Sequence, residues 1–434
     1  VERHEIGARA DWAEQKPVFS ALEEQLQVGL VINRSGRAGF FHVDGLDEVS
    51  SVELLKEGIS VAAVAEAPQG NGTVALAGSD GRVVVFKHQY RTSYERGVEE
   101  REIIPSVVFS YGSTPRDRAP GEQITSLAIS DSDTGLYIAG ASESGIFLEK
   151  NSKQENFLTG EIQLQSSTSQ LAIDYTLTGL AFSGNHRWLY ASDDQGRVHV
   201  HELSALEAVQ VVRLSSTSIT AMKMLLGGIS IIAGDANGNI IQAFPVRDAE
   251  NNYSLEVIRQ FEGQETAIIQ VLPEYRRKGF AALDAAGTLG IYHSTAGQMV
   301  YQRQLDKGQP SSAALSPRAN GMILFAGDGS ADMLDIDNEH PEVSVSSLWR
   351  KVWYENYSEP KYVWQSSSAS NEFEPKFSLT PLAFGTLKAA LFAMLFAVPL
   401  ALMGAAYTAY FMSPGLREIV KPTIEIMAAL PTVI

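Results

Sequence analysis

The sequence predicts an all-β propeller of about seven blades, followed by helical membrane segments. Three observations carry this. One strand–turn–strand pattern recurs seven times between residues 28 and 336 of the 434. Each copy turns on a glycine between alternating apolar residues. The composition then changes at Phe377, from a chain rich in Gly, Ser, Asp and Glu to a strongly apolar one.

The copies read "VGLVINRSGRAGFFHV" from residue 28, "VALAGSDGRVVVFKH" from 74, "LYIAGASESGIFLEK" from 136 and "LYASDDQGRVHVHEL" from 189. They continue as "SIIAGDANGNIIQAF" from 230, "GFAALDAAGTLGIYH" from 279 and "MILFAGDGSADMLDI" from 322. The turn glycines are Gly36, Gly81, Gly145, Gly196, Gly238, Gly287 and Gly329. A tight turn between twisted strands needs positive φ, which Gly and Asn supply at least cost. Alternation such as Val198 and Val200 against His199 and His201 buries one strand face. A further apolar strand precedes most copies, as in "ITSLAIS" at 124 and "ITAMKML" at 219. A unit of three or four strands cannot bury its own face, and repeats of roughly 40–50 residues stack as propeller blades. A pair of β-sandwiches is the main alternative. The longest interval, between Gly81 and Gly145, predicts a long loop or an extra hairpin. The strand–Asp/Asn-Gly–strand rhythm resembles WD-type propellers, without their Trp-Asp and Gly-His pairs.

A net charge of −17 argues against a nucleic-acid binder, which needs a basic face. The absence of cysteine excludes disulfides and thiolate chemistry. No catalytic set, cofactor motif or metal-ligand spacing emerges, so a non-enzymatic binding or scaffolding module is expected. "DANGN" at 235–239 begins like a calcium loop but lacks the rest, and reads as an Asn-Gly hairpin. Asp335, Asp337, Glu339 and Glu342 in "DIDNEHPE" read as a solvated exit from the last blade. His199 and His201 share a strand face but have no nearby third ligand, and read as exposed paired histidines.

Residues 346–376 form an aromatic linker. Trp349, Trp353, Tyr354, Tyr357, Tyr362 and Trp364 suit a lipid headgroup layer, and packing under the propeller is the competing reading. From 377 to 434 the chain reads as the start of a membrane domain, with one full helix at about 386–411 and a second run breaking off at Ile434. Lys388 would snorkel to the interface and Pro399 would kink the helix. Arg417 and Lys421 place the following loop in the cytoplasm and the propeller outside. Residues 1–27 would be a connector descending from a membrane helix that precedes Val1.

The stretch from "GTLKAALFAMLFAVPLALMGAAY" to "KPTIEIMAALPTVI" resembles the permeases of binding-protein-dependent ABC importers, most of all the phosphate-specific (Pst-type) C subunit. Pro399, Pro422, Glu425, Leu430, Pro431 and Thr432 carry the likeness. The resemblance implies a multi-pass permease of the bacterial inner membrane with a periplasmic propeller inserted at residues 28–345. It also implies phosphate as the solute, and as partners a second permease subunit, cytoplasmic ATPase subunits, a periplasmic phosphate-binding protein and membrane lipid. The alternative is a membrane-anchored periplasmic binding or sensor propeller that transports nothing.

Overall fold

The computed structural model describes residues 1–68, 70–94, 101–133, 135–155, 162–368 and 372–429. Seven antiparallel sheets close into a ring. Blades 1 to 6 follow the chain: 17–53, 61–117, 126–171, 177–213, 219–261 and 268–304. Blade 7 takes three strands from 312–335 and its outermost from Glu2–Ala8. The first strand of each blade faces the first strands of its neighbours, so these seven surround the axis.

The core is divided rather than central. Seven apolar clusters each fill one junction between adjacent blades. The second strands are buried along their whole length, as in Thr73–Gly78, Trp188–Asp193 and Gly279–Asp284. Each blade therefore buries both faces only because it has two neighbours, and a two-sandwich arrangement does not form.

The amino terminus corrects the expected connector at 1–27. Glu2–Ala8 pairs with Ser330–Asp335, with a bulge between Glu5 and Gly7, and closes the ring. Arg3 reaches Asp332 at 2.7 Å, and Lys307 reaches Glu5 at 3.1 Å. The short helix α1 (Ala10–Glu14) drops Trp12 into the blade 7–blade 1 junction, edge-on to Phe41 at 5.3 Å and Phe325 at 5.1 Å. Residues 17–22 are then the axial strand of blade 1.

The long Gly81–Gly145 interval holds an extended hairpin. Arg82–Tyr94 pairs with Arg101–Val108, and Arg116–Asp117 adds a short fifth strand. Blade 3 has a similar long hairpin, Gly145–Glu155 with Ile162–Leu171.

After blade 7 the chain crosses the face formed by the turns between first and second strands. Helix α2 (Val345–Trp349) starts with a capping box from Ser344 and Ser347. The segment to Phe377 then packs on blades 5 and 6. Of the six aromatic residues assigned to a headgroup layer, Tyr354 is fully buried. Trp353 meets Phe244 edge-on at 6.3 Å, while its backbone carbonyl accepts a hydrogen bond from Arg259. Trp349, Tyr362 and Trp364 are exposed. The segment is a cap on the ring with an exposed aromatic edge.

Helix α3 (Thr380–Ala406) passes through Pro399 and ends in a wide turn at Tyr407–Phe411. No residue of α3 is buried. Helix α4 (Pro414–Ala429) follows, and contains Pro422 and the exposed Glu425. Arg417 folds back onto the carbonyl of Ala409 at 2.7 Å, satisfying an acceptor that the helix end leaves free. Among the described residues one helix, running to Phe411, is long and apolar enough to cross a membrane.

A candidate binding channel

Seven axial strands crowd the centre, which explains their small residues: "SAL" at 20–22, "VAAVAE" at 61–66 and "SAAL" at 312–315. They leave a cavity of about 350 Å³. Its walls are mostly apolar, from Leu22, Val64, Ile129, Phe182, Val271 and Leu315. Polar groups collect where the axial strands end, on the face that carries the cap.

Glu66 ends the axial strand of blade 2, and Lys223 sits one residue before the end of the blade 5 strand. Tyr275 lies in the following turn of blade 6, and His88 on the third strand of blade 2. Burial and the nearby Glu66 carboxylate hold the Tyr275 phenol well above its usual range. His88 lies 3.9 Å from Glu66, too far to hydrogen-bond, and neither ring nitrogen has a partner. Its ring meets Tyr90 edge-on at 5.6 Å. The Lys223 side chain is open to the lumen although protein surrounds it on every side. That enclosure lowers its pKa, and attraction to Glu66 opposes the shift only in part. On the rim, Glu24 of blade 1 bridges Arg276 of blade 6 and Arg318 of blade 7.

The cap is fixed beside this mouth by a buried ionic cluster. The Lys278 ammonium donates to Glu355 at 2.6 Å and to the Leu226 carbonyl. The other Glu355 oxygen accepts from the Ser230 hydroxyl at 2.6 Å. Glu374 accepts from Thr295 at 2.6 Å and from the Glu355 backbone N–H at 3.0 Å. Burial, then the nearby Glu355 charge, pushes the Glu374 carboxyl upward. The cap in turn holds the start of α3, through Leu379 N–H to the Leu348 carbonyl at 2.8 Å.

The residues singled out in the sequence lie elsewhere. Gly36, Gly81, Gly145, Gly196, Gly238, Gly287 and Gly329 close the turns between second and third strands, all at positive φ. These turns lie on the ring face away from the cap. Asp235 of "DANGN" is consumed by its own turn: it accepts the N–H groups of Asn237 and Asn239 and the Ser215 hydroxyl. His199 and His201 are buried rather than exposed. His199 reaches Asp193 at 2.9 Å and stacks on Tyr175 at 3.7 Å, while His201 meets the Tyr175 hydroxyl at 3.2 Å. Asp335 pairs with His4 at the ring closure, and Glu342 lies 3.4 Å from His340. Among the described residues no three His, Cys, Asp or Glu side chains are arranged to hold a metal ion. Pro399 lies in α3 and Pro422 and Glu425 in α4, whereas Leu430, Pro431 and Thr432 fall outside the described residues.

Sequence reasoning passed over the channel group. A signal for it exists: Lys223 in "ITAMKML" and Glu66 in "VAAVAEAP" are charges within apolar axial strands.

Comparison with known proteins supports the ring and nothing finer. No family model matches the chain, and no curated protein matches it. Among solved structures, the β-propeller domain of Cps50 (Swd1) from Myceliophteria thermophila superposes with a TM-score of 0.53 at 10% identity, covering 77% of this chain and all of that one. As 1702 solved chains match, the fold is too widely shared to name a function.

The likeness to a Pst-type permease is corrected by these findings. The described residues form a seven-bladed propeller followed by one helix of membrane-spanning length, and no permease family model matches the chain. The transport function and the ATPase, permease and binding-protein partners rested on that likeness alone.

Proposed function

We propose that the chain is a membrane-anchored binding module, a propeller held at the bilayer surface by α3, with the cap as a stiff mount. The observation that carries this is the contrast in burial. The ring and cap bury an apolar core, whereas all 27 residues of α3 are unburied. At 1.5 Å per residue α3 is about 40 Å long, more than the ~30 Å of hydrocarbon to be crossed. The exposed Trp349, Tyr362 and Trp364 on the cap edge suit the headgroup layer beneath the ring. Arg417 and Lys421 follow the helix, while on the ring side Lys376 is buried in the cap, Lys361 lies near Glu359, and Arg350 and Lys351 are exposed beside Trp349. We assign the ring to the non-cytoplasmic side because the short segment directly after the helix is basic, with Arg417 and Lys421.

The test is fractionation with alkaline extraction. The full chain stays with the membrane, and external protease reaches the ring in intact spheroplasts. Leu391→Arg, Leu395→Arg and Leu400→Arg together release it, since each costs about 2.5–3.5 kcal/mol near the helix centre. A wild-type chain recovered in the soluble fraction overturns the anchor. A ring cut only after lysis overturns the orientation.

A further inference from the structure

We propose that the cap-side mouth of the channel is a binding site for a small organic anion with an apolar body, its charge on Lys223 and its body against the axial strands. The cavity, about 350 Å³, falls at the lower end of the size range of small-molecule sites. Apolar side chains such as Val64, Ile129 and Phe182 line its walls beside the polar groups, so the apolar body of a ligand finds a surface to lie against.

The sign of the ligand's charge follows from the pairing within the mouth. Glu66 has Tyr275 beside it and His88 at 3.9 Å. Lys223 forms no hydrogen bond or ion pair among the described residues, and only the more distant Glu66 charge attracts it. Lys223 is therefore, among the described residues, the charged group of the lumen that lacks a direct partner. An enclosed ammonium without a counter-charge is costly, and a carboxylate, sulfonate or phosphate ester supplies one.

A second, independent observation points to the same place. His88 is nine-tenths buried, lines the cavity and leaves both ring nitrogens without a partner. Buried polar groups are almost always satisfied. A ligand oxygen, or a water carried with it, satisfies His88 while its charge meets Lys223. The geometry of the ring accounts for the location. The axial strands end in loops on this face, and Gly70 and Gly72, at φ +64° and +74°, leave room for the Tyr275 ring and the His88 carbonyl. The mouth lies beside the cap that carries α3, an address suited to amphipathic anions concentrated near a bilayer. The site itself does not depend on α3 being inserted.

The test uses the full chain in nanodiscs and ¹⁹F NMR, with empty nanodiscs as blank. The probes are 4-fluorobenzoate, the neutral 4-fluorobenzamide and the cationic 4-fluorobenzylamine, with acetate as competitor. Saturable 4-fluorobenzoate binding is expected, at least tenfold tighter than the amide, with the amine weakest and acetate a poor competitor. Lys223→Met removes the preference for benzoate over amide, and Lys223→Arg retains it. Lys223 faces the lumen, so neither change disturbs the packed core, and an unchanged thermal transition confirms this. The proposal is overturned if wild type binds no probe, if the amine binds best, if acetate competes as well as benzoate, or if Lys223→Met leaves the benzoate preference intact. The wild-type ranking of the probes decides the question even if a variant fails to fold.

Discussion

Replacing Lys278 by methionine tests whether the cap is held by its buried ionic cluster. Lys278 is 1% exposed, and its ammonium serves Glu355 and the Leu226 carbonyl. Methionine keeps the length of the side chain and removes the charge. Glu355 is then left buried, with Glu374 close by and only Arg259 and Lys376 to balance them. Removing one partner of a buried pair costs about 3–5 kcal/mol, mostly because the other charge stays behind. The ring and cap together comprise ~380 residues, and unfolding entropy of about 2.1 cal/mol/K per residue gives roughly 0.8 kcal/mol/K. A loss of about 4 kcal/mol therefore lowers Tm by about 5 °C. Intrinsic fluorescence reads both events, since Trp353 lies on the cap and Trp188 in blade 4. The expected trace shows the Trp353 environment loosening first. The double variant Lys278→Met, Glu355→Met removes the stranded charge and recovers most of the loss, a strongly non-additive result. Two outcomes refute the reasoning: a single-variant Tm within 1 °C of wild type, or a double variant that loses the sum of the two singles.

Acid destabilises the ring through buried histidines. Burial pushes His293 down to about 3, and burial also lowers His201 and His186. Their folded pKa values lie below the unfolded one, so their contribution is present above about pH 6.5 and is lost as pH falls from there. Each proton taken up only on unfolding removes about 1.4 kcal/mol per pH unit. The urea midpoint should fall steadily from pH 6.5 to 5; a flat or rising midpoint contradicts this. Gly238→Ala forces a Cβ to within 2.1 Å of the Gln264 carbonyl at φ +84°. It should cost well over the about 1 kcal/mol of Gly308→Ala, where φ is +70° but the space is open. Equal losses would remove the steric argument. Trp12→Ala empties the blade 7–blade 1 junction and should cost about 3–5 kcal/mol in chemical denaturation. A loss below about 1 kcal/mol would mean that α1 does not seal the ring.

The blades were legible because each repeats the same local chemistry: a glycine at positive φ between two strands whose alternation is set by a neighbour on each side. Closure was not. The strand "ERHEIGA" lies outermost in blade 7 and is mostly exposed or half-buried, so it carries little apolar alternation. Its identity is written in its pairing with residues 330–335, which a local reading does not see. The histidines failed for the opposite reason. A period of two says that His199 and His201 share a face, but not that Tyr175 covers that face. The apolar carboxy-terminal run was misread at the level of family. Small residues and a tolerated proline are what lipid permits in many membrane helices, so the pattern speaks for a membrane helix more than for one family.

The cap joins these threads, because its composition fitted two environments equally well. Trp353 and Tyr354 would suit a headgroup layer, where a ring needs an apolar body and a wet edge. The protein supplies the same combination: Phe244 for the body of Trp353 and the Tyr357 carbonyl for its indole N–H, at 2.9 Å. What decides between them is Ser230, Arg259, Lys278 and Thr295, each between 77 and 125 residues from its cap partner. An apolar replacement of similar volume would hold the cap as well, and in some proteins buried ionic groups serve to fix a geometry. The geometry fixed here is that of α3 against the channel mouth. A tether needs no such mount, whereas a binding site that must face the bilayer at a set angle does. Substituting the cluster by a well-packed apolar set should therefore preserve stability while loosening the angle between ring and helix, measurable as broader distance distributions between spin labels on the ring and on α3. Unchanged distributions would reduce the cluster to a fastening with no bearing on orientation.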